Sequence, residues 1–114
     1  MSQIWEKEEL ILLLDLYFDA LDEENILTIK SPSDKRVDVL RKVLRKRDGG
    51  GRDITPAAVY LKLHDIAACD PDYAGECFSL PSQLDKRVFR EYRNDRQRLK
   101  ADAMDVFKST MGVG

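Results

Sequence analysis

The chain has 114 residues, of which 43% are hydrophobic and 35% charged, with two cysteines and one histidine. This length can bury roughly 60–70% of its unfolded surface. The composition excludes collagen-like, mucin-like and disordered classes, and a disulfide scaffold or a protein-only zinc site cannot be assembled within one chain. The net charge of −2 conceals a segregation of sign: −7 over residues 1–29, +6 over 30–52, −5 over 53–85 and +4 over 86–114.

No apolar run approaches the roughly 18–20 residues of a membrane span; the longest, Leu10 to Leu14, is broken by Asp15. The start, Met1-Ser2-Gln3-Ile4-Trp5-Glu6, lacks the basic and then apolar pattern of a secretory signal. One cytoplasmic helical domain over 1–114 is expected, without membrane contact.

From Trp5 to Leu21 the apolar residues Leu10, Ile11, Leu14, Tyr17, Phe18 and Leu21 recur at three- and four-residue steps, which predicts a helix with one buried stripe. Leu12, Leu13 and Leu16 widen it, so this helix should be central. Ile26 to Lys30 is long enough only for an extended connection. Ser31 as cap, Pro32 at the first helical position and Asp34 three residues after the cap predict a second helix, ended by Asp48-Gly49-Gly50-Gly51. Val37, Leu40, Val43 and Leu44 would be buried in it, with Arg36, Arg41, Lys42 and Arg45 turned to water.

Thr55-Pro56 opens a third helix through about Ala68, burying Val59, Leu63, Ile66 and Ala67 and leaving Tyr60, Lys62, His64 and Asp65 for its other faces. Asp70-Pro71 closes it. Ser82 with Asp85, and Asn94 with Gln97, mark two further helix starts. The expectation is an all-α bundle of about five helices with a helix-turn-helix core.

Catalytic parts are scarce. Gly49-Gly50-Gly51-Arg52-Asp53 lacks the Gly-Lys-Ser/Thr ending of a P-loop. His64 is alone, and Cys69 and Cys77 read as buried free thiols. No enzyme, metal site or cofactor is expected.

A helix-turn-helix domain presents a recognition helix with polar and basic groups on its exposed face. Arg52, Thr55, Tyr60, Lys62 and His64 lie on or just before the third helix, and Arg45, Lys46 and Arg47 end the helix before it. Lys46, Arg47 and Arg52 would grip phosphate, while Tyr60, Lys62 and His64 would face the grooves of double-stranded DNA. The alternative is a half-buried Tyr60 among merely solvated bases.

Trp5-Glu6-Lys7-Glu8-Glu9-Leu10, Leu14-Asp15-Leu16-Tyr17-Phe18 and the run from Arg52 through Thr55-Pro56 and Lys62-Leu63-His64-Asp65 to Ile66 resemble the N-terminal module of McrA-like HNH restriction endonucleases. The likeness continues through Asp70-Pro71-Asp72-Tyr73 and the Leu84 to Tyr92 helix. The Trp-x-x-Glu-Glu opening and Arg-x-x-Thr start also look Myb-like. The resemblance implies a DNA-recognition module of a modification-dependent restriction or phage-defence system, reading DNA that carries modified bases. Two departures stand out: Asp65 replaces the family's Asn, and one histidine cannot supply the metal site of an HNH nuclease. The competing expectation is a protein-interaction or oligomerisation module, docking a nuclease partner or a second copy through its alternating charge blocks.

Overall fold

The computed structural model describes residues 5–76 and 80–112. Five helices follow one another: α1 (Lys7–Asp19), α2 (Lys35–Asp48), α3 (Pro56–Cys69), α4 (Gln83–Tyr92) and α5 (Arg96–Met111). Among the described residues the only β-type pairing is an isolated bridge between Leu21 and Leu27. The protein is all-α, and the helix order is compatible with a helix-turn-helix core.

α1 is the axis of the packing. Leu10, Leu13, Leu14 and Tyr17 are each at most 1% exposed, and α3, α4 and α5 all rest against it. A helix apolar over so wide an arc can only be satisfied by neighbours on several sides. Its end brings in a further pair of core residues. Ala20 N–H closes on the Leu16 carbonyl at 2.9 Å, and the Asp22 carboxylate accepts from the backbone of Glu24 and Ile26 at 2.9 and 3.0 Å. Thr28 N–H then donates to the Ala20 carbonyl at 2.7 Å, and Leu27 and Ile29 enter the core. The predicted helix to Leu21 therefore stops two residues early, and the segment around Leu27 is the extended connection its length suggested.

Two helix starts are corrected. α2 is capped by Asp34, whose carboxylate accepts from Arg36 N–H at 2.8 Å, not by Ser31. Ser31 instead closes a turn, its hydroxyl oxygen accepting from Ser33 N–H at 3.1 Å. α5 is capped by Asp95, accepting from Arg98 N–H at 3.1 Å, one residue beyond Asn94. The starts of α3 at Thr55 and of α4 at Ser82 are as the sequence predicts. α2 ends on Gly49 at φ +71°, a conformation costly for any residue with a Cβ.

Leu13→Ala removes a fully buried side chain from the central helix and should cost about 2–5 kcal/mol in urea unfolding. Leu61→Ala, at a position 52% exposed, should change stability by less than about 0.5 kcal/mol.

Candidate nucleic-acid interface

The residues expected to read DNA are distributed by the fold into two environments. Lys62 and His64 lie in the interior, 8% and 7% exposed, which corrects their assignment to an outward face. α3 is enclosed by α1, α2 and α4, so only a narrow strip containing Ala57, Leu61 and Ala68 faces water. That strip carries no side-chain hydrogen-bond donor. Lys62 is held by Asp85 of α4 and by Asp65, each with one oxygen 3.0 Å from Nζ. Asp85 is 2% exposed and also accepts from Ser82 N–H at 2.8 Å, so the cap and the ion pair together compensate a buried carboxylate while the pair neutralises two buried charges at once.

Arg52 is similarly engaged. Its backbone N–H and Nε donate to Asp48 at 2.6 and 2.7 Å, and Nη2 pairs with the fully buried Glu9 of α1. Glu9 also accepts from Glu6 N–H at 2.8 Å, closing the first turn of α1. Trp5 covers both cations, with its ring centroid 5.7 Å from the Arg52 guanidinium and 6.0 Å from Lys62 Nζ. These are the residues on which much of the family resemblance stands, and they build the interior.

The remaining expected residues divide further. Thr55 caps α3, its hydroxyl oxygen accepting from Ala58 N–H at 3.1 Å. Tyr60 is half-buried, donates to the Lys30 carbonyl at 3.2 Å and meets His64 edge-on at 4.7 Å. Arg47 turns back to Glu8 and Glu6, at 3.4 and 3.8 Å. Arg45 and Lys46 are exposed. Cys69 is half-buried, donates its thiol weakly to the Asp65 carbonyl at 3.5 Å, and burial pushes its pKa up to about 11. Cys77 lies outside the described residues.

A better-formed basic surface occupies α4 and the turn after it. Lys86, Arg87 and Arg90 are exposed on the side of α4 opposite Val88, Phe89 and Tyr92. The two carboxylates of that helix do not neutralise them: Asp85 is committed to Lys62, and Glu91 to Lys7 and Arg98 at 3.0 and 2.9 Å. Arg93 and Arg96 continue the row, stacked over Phe89 and Phe18 at 5.6 and 3.9 Å. None of these five cations is in ion-pair contact with a carboxylate among the described residues. Stacking restrains a guanidinium while its edge N–H groups stay available. None was expected from the sequence, although spacing alone sets 86, 87 and 90 opposite the apolar face and the block 86–114 carries +4.

Comparison of the chain with family models, with curated proteins and with solved structures gives no match.

Arg52→Met leaves Glu9 buried without its guanidinium and should cost roughly 2–3 kcal/mol in chemical unfolding, with part of the loss recovered on adding Glu9→Gln. Burial pushes the His64 imidazole below its ordinary pKa, with Asp65 opposing the shift and Lys30 reinforcing it. A base depressed in the folded state contributes fully above its unfolded pKa, about 6.5, and loses that contribution as pH falls through the folded value. The melting temperature should therefore drop between about pH 7.5 and 5, and less steeply in His64→Gln; equal slopes would locate the acid sensitivity elsewhere.

Proposed function

We propose that this domain binds double-stranded nucleic acid through the cationic row on α4 and the α4–α5 turn, and that it acts as a recognition module rather than as a catalyst. The observation that carries this is the run of five cations, three on the outer side of α4, one at its C-terminal cap and one at the start of α5, with both α4 carboxylates committed elsewhere. From Lys86 to Arg93 the helical rise spreads the row over roughly 10 Å, about three phosphates along the axis of one strand. Asn94 and Gln97 are exposed beside it, and amides of this kind can pair with an adenine edge in the major groove. Arg45 and Lys46, exposed at the end of α2, supply additional positive charge.

A role in modification-dependent restriction draws its support from the resemblance to the McrA-like module. Because Trp5, Glu9, Arg52 and Lys62 serve the interior, that support bears on the fold more directly than on the base that is read.

Fluorescence anisotropy against matched duplexes, with unmodified and with modified cytosines at two salt concentrations, tests the reading. Arg87→Ala and Arg90→Ala should each weaken binding on every duplex and lower the log–log salt slope by about 0.9. Asn94→Ala should leave that slope unchanged and reduce only the discrimination between duplexes. A preference of about tenfold for one modified duplex would equal 1.4 kcal/mol and define the recognised base. Absence of binding at low salt, or slopes indifferent to Arg87 and Arg90, would overturn the proposal.

A further inference from the structure

A polar cavity of about 150 Å³ opens where the end of α1, the turn after α3 and the α4–α5 turn meet. Arg93 and Arg96, two cations of the basic row, line it together with two anions, Asp70 and Asp72. Opposite charges bordering so small a space attract one another, yet no ion pair joins either arginine to either aspartate among the described residues. The arginines are held by stacking, Arg96 over Phe18 at 3.9 Å and Arg93 over Phe89 at 5.6 Å. Asp70 is held by the Tyr17 hydroxyl, which donates to it at 2.8 Å, and by Asp72 N–H at 2.9 Å. The exposed Asp72 carboxylate accepts no hydrogen bond among the described residues. The cavity thus presents donors and acceptors that are kept apart from each other, and a ligand that complements it supplies both kinds of partner.

The geometry also favours a flat ligand. Phe18 and Phe89 stack at 6.0 Å with 29° between their planes, and the Arg96 guanidinium adds a third plane over Phe18. One face of that guanidinium rests on the ring, which leaves the second for a further planar group. Unpaired bases stack on guanidinium planes in this way. The cavity has about half the volume of the smallest pockets that take a drug-sized molecule, roughly 300 Å³, so it suits a single ring system. A free amino acid also carries both signs of charge, but it is not planar and gains nothing from the neighbouring cations of α4. Glu23 and Glu24 stand in the same turn as Asn25, which lines the cavity, so phosphates are confined to the arginine side.

We propose that this cavity receives a single unpaired nucleobase from a strand held by the α4 row, an inference that rests on nucleic-acid binding by that row. Asp70 and Asp72 accept from an amino group on the edge of the base, Arg93 donates to a carbonyl oxygen, and Arg96 stacks on the ring. Cytosine and guanine carry both an amino group and a carbonyl, whereas adenine lacks the carbonyl and thymine the amino group. The cavity therefore selects guanine or cytosine outside the double helix.

The test uses fluorescence anisotropy to compare a fully paired duplex with four duplexes that each carry one bulged base: cytosine, guanine, adenine or thymine. A base already out of the stack spares the cost of extrusion. Bulged cytosine and guanine should bind about tenfold tighter than the paired duplex, and bulged adenine and thymine about threefold tighter or less. Asp72→Ala, at an exposed turn position, and Arg96→Lys, which keeps the charge and loses the plane, should each bring the bulged-to-paired ratio close to one. Arg87→Ala should weaken all five duplexes by the same factor and leave the ratio standing. Equal gains for all four bulges would report duplex flexibility and overturn the inference. So would an Asp72→Ala variant that strengthens paired and bulged duplexes alike, since a carboxylate that only repels phosphate acts in that way. Binding of the paired duplex with no bulge preference would remove the base cavity and leave the α4 row in place; absence of binding to all five would remove both. A free amino acid that binds in calorimetry, and loses affinity in Asp72→Ala, would assign the cavity to a zwitterion and overturn the inference as well.

Discussion

The Glu9 carboxylate sits at 0% exposure on the first turn of α1, and the arrangement of the helices around it follows from keeping it solvated by protein. One of its oxygens closes the turn on Glu6, and the other takes the Arg52 guanidinium. Arg52 in turn fastens Asp48, so the end of α2, the approach to α3 and the start of α1 are tied to one charge. Trp5 extends the tie to Lys62, and through Asp85 to the start of α4. An ionised group removed from water costs several kcal/mol unless its partners are in place. Four segments of chain must therefore converge in one relative placement, and apolar packing around α1 alone would impose that less strictly.

This network explains which parts of the molecule were legible in the sequence. The caps at Thr55 and Ser82 were, because a hydroxyl oxygen accepting from the backbone N–H three residues on is a local event. The cap of α2 was less so: Ser31 and Asp34 both qualify, and the choice falls to Asp34 because its carboxylate also holds the Arg36 side chain, at 2.9 and 3.0 Å. Lys62 and His64 were misplaced for a different reason. By spacing they flank the stripe formed by Val59, Leu63 and Ile66, but their chemical type argues for water. The residue that draws Lys62 inward, Asp85, is 23 positions away on another helix. Long-range charge pairing is invisible to periodicity, and it turned a basic residue that looked available for DNA into a structural one.

The same bookkeeping by carboxylate partner separates the surface cations into two kinds. Arg36, Arg41, Lys42 and Lys100 hold their own helices and neighbours together through acids within reach. The row on α4 and the turn after it is not consumed in this way. Segregated charge blocks in the sequence therefore translate only partly into surface potential: what persists is the excess left after internal pairing. On α4 that excess faces away from the core.

The loop from Gly49 to Gly51 has a further consequence through the Arg52–Asp48 clasp that spans it. Gly49 ends α2, its N–H closing on the Arg45 carbonyl at 3.1 Å, and beyond it the clasp joins the residues on either side of the exposed Gly50 and Gly51, so that short path is held at both ends. Extra residues placed there would enlarge a loop whose ends are already held, and the entropic cost of such enlargement grows only logarithmically with length. The chain thus contains a natural insertion point, where a fluorescent label or a whole folded domain can be carried without disturbing α2 or α3.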